Sequence, residues 1–341
     1  MIDLLVVGGG PAGLATAVHA ALAGLETVVA EPRPDPVDKA CGEGLMPPAV
    51  RELAALGVAP AGQPFHGIRY LDATTGRCAE AAFRQGGGLG VRRTVLHAAL
   101  AARAAELGVT VVPSRVTDVR LGPESVTAGG LTARHLAVAD GLHSPTRRAL
   151  GLHLPAPARP PARYGLRRHY PLAPWSDHVE VHWSARAEAY VTPLGPELIG
   201  VALLTSDRAP FDEQLARFPL LAARLAGGRG TPVRGAGPLR QRSRARVAGR
   251  ALLVGDAAGY LDALTGEGLS VALACAGELV RCLREGRPEA YEQAWRRASR
   301  GYRLLTGALL WARHRPALAP RIVPLAARLP RVFEAGVNLL A

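Results

Sequence analysis

The chain opens MIDLLVVGGGPAGLATAVHAALAGLETVVAEPRP, and the three consecutive glycines after a short apolar run constrain what can be built there. Ile2 to Val7 is apolar apart from Asp3 and rich in branched residues, which predicts a buried strand. Gly8, Gly10 and Gly13 then give the spacing G-x-G-x-x-G, and Pro11 to Ala23 has helical character. Beyond Gly24 a second strand, Glu26 to Ala30, ends in Glu31. A strand–turn–helix–strand unit of about 30 residues with glycines at these places is the frame of a dinucleotide site. Gly8 permits the tight turn, Gly10 lets the backbone approach a pyrophosphate, and Gly13 lets helix and strand pack closely. The phosphates rest on the helix N-terminus, where free N–H groups and the helix dipole favour anions. Glu31 follows Gly13 by 18 residues, a distance at which an acid accepts hydrogen bonds from a ribose.

Two further stretches narrow the ligand. Residues 138–150, VADGLHSPTRRAL, carry D-G-x-x-S-x-x-R as Asp140, Gly141, Ser144 and Arg147. Residues 252–270, LLVGDAAGYLDALTGEGLS, run from a strand (Ala251 to Val254) into Gly255-Asp256, a small-residue loop, and a TGEG turn that opens a helix. A carboxylate at a strand end can hold sugar or ribitol hydroxyls. A glycine-rich turn at a helix start offers backbone N–H groups to a phosphate or a flavin edge.

In this order and spacing the three motifs resemble those of the FAD-dependent oxidoreductases of the p-hydroxybenzoate hydroxylase fold group. KACGEGLMP (Lys39 to Pro47) and GDAAG…LTGEG are most similar to its geranylgeranyl-reductase-like branch. The resemblance implies an α/β chain: a Rossmann-like FAD-binding domain of glutathione-reductase type in three layers, an inserted antiparallel β-sheet substrate domain, and C-terminal helices. It implies that Gly8, Gly10, Gly13 and Glu31 hold the ADP half, that Arg93 contacts FAD from the next helix, and that Asp256 binds the ribitol or pyrophosphate. Gly266, Glu267 and Gly268 lie beside the isoalloxazine in that reading, and Asp140, Gly141, Ser144 and Arg147 contact both FAD and NAD(P)H. The implied FAD set also takes in Pro11, Ala12, Pro32, Arg33, Cys41, Gly42, Val116, Gly255 and Leu269. No second strand–turn–helix G-x-G-x-x-G unit occurs, so NAD(P)H is expected as a transient visitor, or another donor is used. GGGLG at 86–90 reads as a loop.

The expected layout is discontinuous. Residues 1–61, 86–155 and 235–285 form the FAD-binding domain, and 62–85 with 156–234 form the substrate domain. Residues 163–206 alternate polar and apolar in several runs, which predicts an antiparallel sheet of about four strands. PAPARPPA (Pro155 to Ala162) is the linker into it, and DATTG (72–76) is a turn. Helices are expected over 267–284 and 287–313, with shorter ones out to residue 341.

Chemistry is less legible. Cys41, Glu43 and Glu267 are the candidate catalytic residues, a thiol and two acids in glycine-rich turns, where a solvated or packing role is the plain alternative. Trp183, Tyr190 and Pro193 are the candidate substrate-pocket residues, with ordinary sheet packing as the alternative for the two aromatics. Where geranylgeranyl reductases have Y-x-W-x-F-P, this chain has Tyr190-Val-Thr-Pro-Leu-Gly, which counts against a long prenyl substrate. His169, His178 and His182 read as pocket lining or surface, and no metal is expected because no third ligand is evident. Arg240, Arg242, Arg244 and Arg246 read as a strand with one basic face, alternatively a landing strip for NAD(P)H phosphates.

The formal charge of +13 raises nucleic acid as a partner, but 40 of the 41 basic residues are scattered arginines (Lys39 is the one lysine) and aromatics make up only 5%. No basic tail appears and stacking platforms are scarce, so nucleic acid is not expected as a partner. No stretch reaches the roughly 18 apolar residues of a membrane span. The start does not read as a signal peptide, and four scattered cysteines form no metal spacing or disulfide scaffold, so a cytoplasmic home is expected. The stretch from Leu318 onward is apolar with spaced arginines. It reads as cover for a substrate tunnel, with membrane-surface contact as the alternative. The working expectation is a cytoplasmic NAD(P)H-using flavin monooxygenase of specialised metabolism, acting on a hydrophobic aromatic or polyketide-like small molecule. The alternatives are a flavin reductase that saturates a C=C bond of a prenyl or other lipid-like substrate, and a non-catalytic FAD-binding redox protein.

Overall fold

A computed structural model describes all residues except 35, 158, 159, 340 and 341. The opening strand, Ile2–Val7, sits inside an eight-stranded sheet. Its neighbours Leu131–Val138 and Thr27–Ala30 run parallel to it, and Ala251–Leu253 and Thr110–Val112 extend the parallel order on either side. Leu4, Leu5 and Val6 are wholly buried, as expected of a strand covered on both faces. Helices Pro11–Leu22, Arg93–Glu106 and Gly268–Arg284 pack together over this core. Val119–Leu121 and Val126–Ala128 form an antiparallel meander that branches from Leu131–Val138. Because the central strands are parallel, their carboxyl ends coincide. Gly8, Glu31, Asp140 and Gly255–Asp256 therefore emerge along one edge, where open α/β sheets bind ligands.

A second sheet of seven strands follows the order Arg234–Ala236, Tyr164–Tyr170, Leu198–Thr205, Ala187–Gly195, Val179–Trp183, Gly67–Asp72, Cys78–Ala82. All its pairings are antiparallel except Val179–Trp183 with Gly67–Asp72. The Asp72–Gly76 turn is held by Asp72 Oδ1, which accepts from the Thr74 and Thr75 N–H groups. Gln63–Phe65 does not join this sheet: with Gly44–Leu45 and Gly88–Gly90 it makes a small three-stranded sheet between the two large ones.

Several expectations need correction. GGGLG is not only a loop, since Gly88–Gly90 is a strand whose glycines admit close neighbours. A Cβ on Gly90 would lie 1.7 Å from the Pro193 carbonyl oxygen. The expected helix 287–313 is two helices, Tyr291–Ala298 and Arg300–Arg313. They part at Ser299, where both the N–H and the Oγ of that residue bond the Trp295 carbonyl. The edge strand Arg234–Ala236 carries the second sheet past residue 234. The expected basic strand 240–246 reduces to Arg242–Ser243, and Arg246 is buried, paired with Glu292 and stacked 3.7 Å from the Trp295 ring centroid. The linker Pro155 to Ala162 lies partly outside the described residues. Helices Ile322–Arg328 and Pro330–Asn338 close the chain. Among the described residues, no helix is long and apolar enough to cross a membrane.

Candidate functional site

The glycine turn is fixed by contact. Gly8 has φ +104, and a Cβ there would sit 2.6 Å from the Ala139 carbonyl oxygen, just past the end of the neighbouring strand. A Cβ on Gly13 would lie 1.8 Å from the Gly8 oxygen. Gly10 differs, because the nearest atom to its Cβ position is Arg93 Nη2 at 3.7 Å. Gly10, Pro11 and Ala12 line a cavity of about 1150 Å³, and the first turn of the helix opens onto it. Buried polar atoms without partners stand at the same rim: Nε of Arg93 and Oδ1 of Asp140. Asp256 lines the cavity too, its carboxyl pushed up by burial and pulled back by the charges of Lys39, Arg93 and Arg147. Open N–H groups, an unpartnered guanidinium nitrogen and acceptors for hydroxyls are the donor set that a dinucleotide with a sugar-alcohol arm requires. The residues fit FAD.

Glu31 is buried at its strand end, where Oε2 accepts from the Gly9 N–H at 2.8 Å and from Arg33 Nη2 at 2.8 Å. Oε1 accepts from the Arg33 N–H and Nε. Four bonds fill the carboxylate's acceptor sites. A ribose must therefore displace the Arg33 side chain, which is 40% exposed and able to move. Pro32 is exposed beside it, and Val116 is buried in the main core without lining the cavity.

Ser144 and Arg147 are corrected outright. Arg147 is wholly buried and donates to the carbonyls of Leu142, Asp256 and Ala257 and to Gln241 Oε1. Ser144 is equally buried, and its Oγ caps the short helix Pro145–Ala149. Neither lines the cavity. They pin the second motif to the third. Asp140 and Gly141 do face the cavity.

The CGEG loop forms another wall. Glu43 takes φ +60, a left-handed conformation that costs a non-glycine residue about 1 kcal/mol or more. The loop is tied to the second sheet by Thr192 Oγ1, which donates to the Gly42 carbonyl, and to the small sheet by the Val91 N–H, which donates to the Glu43 carbonyl. Glu43 itself is buried. Oε1 accepts the Arg93 N–H at 2.8 Å, and Oε2 lies 2.5 Å from His169 Nε2. His169 Nδ1 faces Arg167 Nη1 at 3.2 Å. A guanidinium only donates, so Nδ1 carries the lone pair and the ring proton sits on Nε2. With that tautomer His169 Nε2 donates to Glu43, and both Glu43 oxygens act as acceptors. Arg167 is held in turn by Asp38. Burial pushes the Cys41 thiol up, against a thiolate nucleophile, although the Arg93 charge opposes the shift.

Glu267 precedes the helix Gly268–Arg284 and lines the cavity with Gly266 and Leu269. Burial pushes its carboxyl up to about 8, so it holds a proton at neutral pH. Tyr190 lines the cavity and donates to the Leu264 carbonyl at 2.7 Å. Trp183 and Pro193 are corrected: neither lines it. Trp183 packs behind Tyr70 at 5.1 Å between ring centroids, and the Pro193 carbonyl abuts Gly90. The aromatic wall is instead Tyr70, Phe83, Tyr190 and Phe333.

The histidines also moved. His178 and His182 are buried away from the cavity, His182 paired with Glu180 at 3.0 Å, and His169 is a partner of Glu43. No group of three metal-ligating side chains occurs among the described residues. Lys39, Asp38 and Arg167 were not legible as site residues, and His169, expected as pocket lining or surface, was not legible as a partner of Glu43. The one available signal was Lys39, the sole lysine in a chain that otherwise uses arginine.

Residues 1–196 match the FAD binding domain family. The chain belongs to that family. It is 31% identical over 328 residues to the menaquinone reductase of Mycolicibacterium smegmatis, a match covering 86% of this chain and 79% of the relative. The p-nitrophenol 4-monooxygenase PnpA of Pseudomonas putida shares the fold at a TM-score of 0.83 and 18% identity, covering 100% of this chain and 96% of that one. A geranylgeranyl bacteriochlorophyll reductase-like protein from Thermoplasma acidophilum does so at 0.78 and 23%, covering 98% and 91%. The flavoprotein is therefore an enzyme of the FAD-dependent oxidoreductases with the p-hydroxybenzoate hydroxylase fold.

Proposed function

We propose that this flavoprotein is an NAD(P)H-using monooxygenase that hydroxylates a hydrophobic aromatic or polyketide-like small molecule. The supporting observation is the cavity. From the glycine turn it continues past the CGEG loop into an apolar chamber walled by Tyr70, Phe83, Tyr190 and Phe333 and roofed by the C-terminal helices. FAD supplies two-electron redox chemistry and reactivity toward oxygen when bound. The chain's own residues do the rest. Gly10, Pro11 and Ala12 present the helix N-terminus to the pyrophosphate, and Asp256 accepts from hydroxyls of the cofactor. The aromatic wall orients a flat substrate and keeps water out. Glu43, held as an acceptor by His169 and the Arg93 N–H, takes a hydrogen bond or proton from a substrate hydroxyl. With one dinucleotide turn in the chain, NAD(P)H visits transiently.

A second reading, reduction of a C=C bond in a lipid-like substrate, is favoured by Glu267. This acid holds a proton at neutral pH beside the cavity and so can protonate a carbon. The likeness to a menaquinone reductase supports the same reading. One experiment separates the two. Reduced holoenzyme is given a hydrophobic phenol or an isoprenoid quinone, with and without oxygen, and products are weighed by mass spectrometry. Gain of an oxygen atom from labelled O₂, with no product under anaerobic conditions, supports hydroxylation. Gain of two hydrogens in the prenyl tail under anaerobic conditions, still present after the quinol is reoxidised to the quinone, overturns it in favour of the reductase.

A further inference from the structure

Of the twelve large apolar side chains that stand exposed among the described residues, six lie between Leu304 and Leu339. Three of them, Leu325 (48% exposed), Leu329 (52%) and Val332 (65%), also line the main cavity. A side chain cannot line an enclosed cavity and be half in water unless it stands at the mouth. The chamber therefore opens through the last two helices. On the preceding helix, Arg300–Arg313, the positions Leu305, Leu309 and Ala312 face the chamber. Ala308 both lines the chamber and is exposed, and Leu304 and Trp311 flank it on the same outer stripe at helical spacing. The apolar rim is thus continuous with an apolar outer surface.

Charge frames this surface with one sign. Arg300, Arg303, Arg315, Arg321, Arg328 and Arg331 are exposed along residues 300–339. The one acid of that stretch, Glu334, is already paired with Arg84. Apolar side chains ringed by unopposed arginines match the interface of an anionic bilayer, where arginine heads meet phosphates and aliphatic side chains enter the acyl boundary.

We propose that this face docks on the surface of an anionic phospholipid bilayer, and that the hydrophobic substrate passes from the lipid through the Leu325–Leu329–Val332 mouth into the chamber. The route is consistent with the function proposed above but docking does not depend on it, because docking is read without turnover. Holoenzyme is floated with vesicles of phosphatidylglycerol and phosphatidylcholine, or of phosphatidylcholine alone. Flotation with the anionic vesicles, lost at high salt, is the expected result. Replacing Arg321, Arg328 and Arg331 with glutamine is expected to weaken partitioning about a hundredfold, at about fivefold per arginine near an anionic surface. Leu304→Glu with Trp311→Glu, at positions outside the cavity lining, is expected to abolish flotation while flavin content and turnover of detergent-dispersed substrate stay unchanged. Wild-type protein that stays out of the vesicle fraction overturns the proposal. So does a Leu304→Glu/Trp311→Glu variant that floats like wild type, or self-association through this face with no vesicle binding. Hydroxylation failing while flotation holds would sink only the proposed reaction.

Discussion

The nucleotide cradle and the apolar chamber share one cavity but obey different rules. In the cradle, single atoms decide. Gly8 and Gly13 have no room for a Cβ, Arg147 spends its guanidinium on four backbone and side-chain oxygens, and parallel strand ends bring the motifs together. In the chamber, aliphatic and aromatic side chains from several elements share the lining, and some stand half in solvent. Steric exclusion of backbone by backbone tolerates no substitute, whereas apolar lining is a matter of volume.

The contrast can be broken most severely at Gly13. Gly13→Ala drives a Cβ against the Gly8 carbonyl, and a loss of at least about 3 kcal/mol in urea unfolding is expected. Gly10→Val tests the other half of the cradle. Nothing in the protein blocks it, so the fold is expected to survive by circular dichroism while bound FAD disappears. Flavin retained in this variant would remove the pyrophosphate from the turn. Arg147→Ala leaves buried carbonyls and Gln241 without their donor, and about 3 kcal/mol is expected to go.

Glu267 sharpens the comparison, because it sits where cradle meets chamber. Its carboxyl is raised from 4.5 to about 8 in the folded protein, so the unfolded chain releases the proton first. Stability from this group is therefore unaffected below pH 4.5, falls as pH rises, and levels off above about 8. Glu267→Gln is expected to flatten that fall by a few kcal/mol in pH-dependent unfolding of the apoprotein. An unchanged slope would mean the carboxyl is solvated. The smallest effect is expected in the chamber: Leu309→Ala should cost about 1–2 kcal/mol, keep full flavin and raise KM more than it lowers kcat.

Legibility follows the same division. The strand Ile2–Val7 and the helix Pro11–Leu22 could be read directly, because glycine spacing and local periodicity act within one unit of chain. The four strands within Tyr164–Thr205 were legible from alternation, and residues 62–85 could be assigned to the same domain, whereas the parallel pairing of Gly67–Asp72 with Val179–Trp183, about 110 residues distant, could not be read. Arg147 carries a motif position, but burial turned it from a ligand contact into a clamp. Trp183 alternates as a pocket residue should, yet Tyr70 stands in front of it.

From its sequence alone this protein was committed to a dinucleotide on a strand–turn–helix unit, since only glycine permits the approaches at Gly8 and Gly13 and those lie a few residues apart. Tertiary structure alone decided that Glu43, fixed in a left-handed turn, meets His169 across 126 residues of chain, that Arg33 occupies Glu31, and that the chamber opens between Leu325, Leu329 and Val332. The physical reason is range. Backbone sterics are written residue by residue, while burial, the direction of a proton and the mouth of a cavity depend on what distant segments bring to the same place.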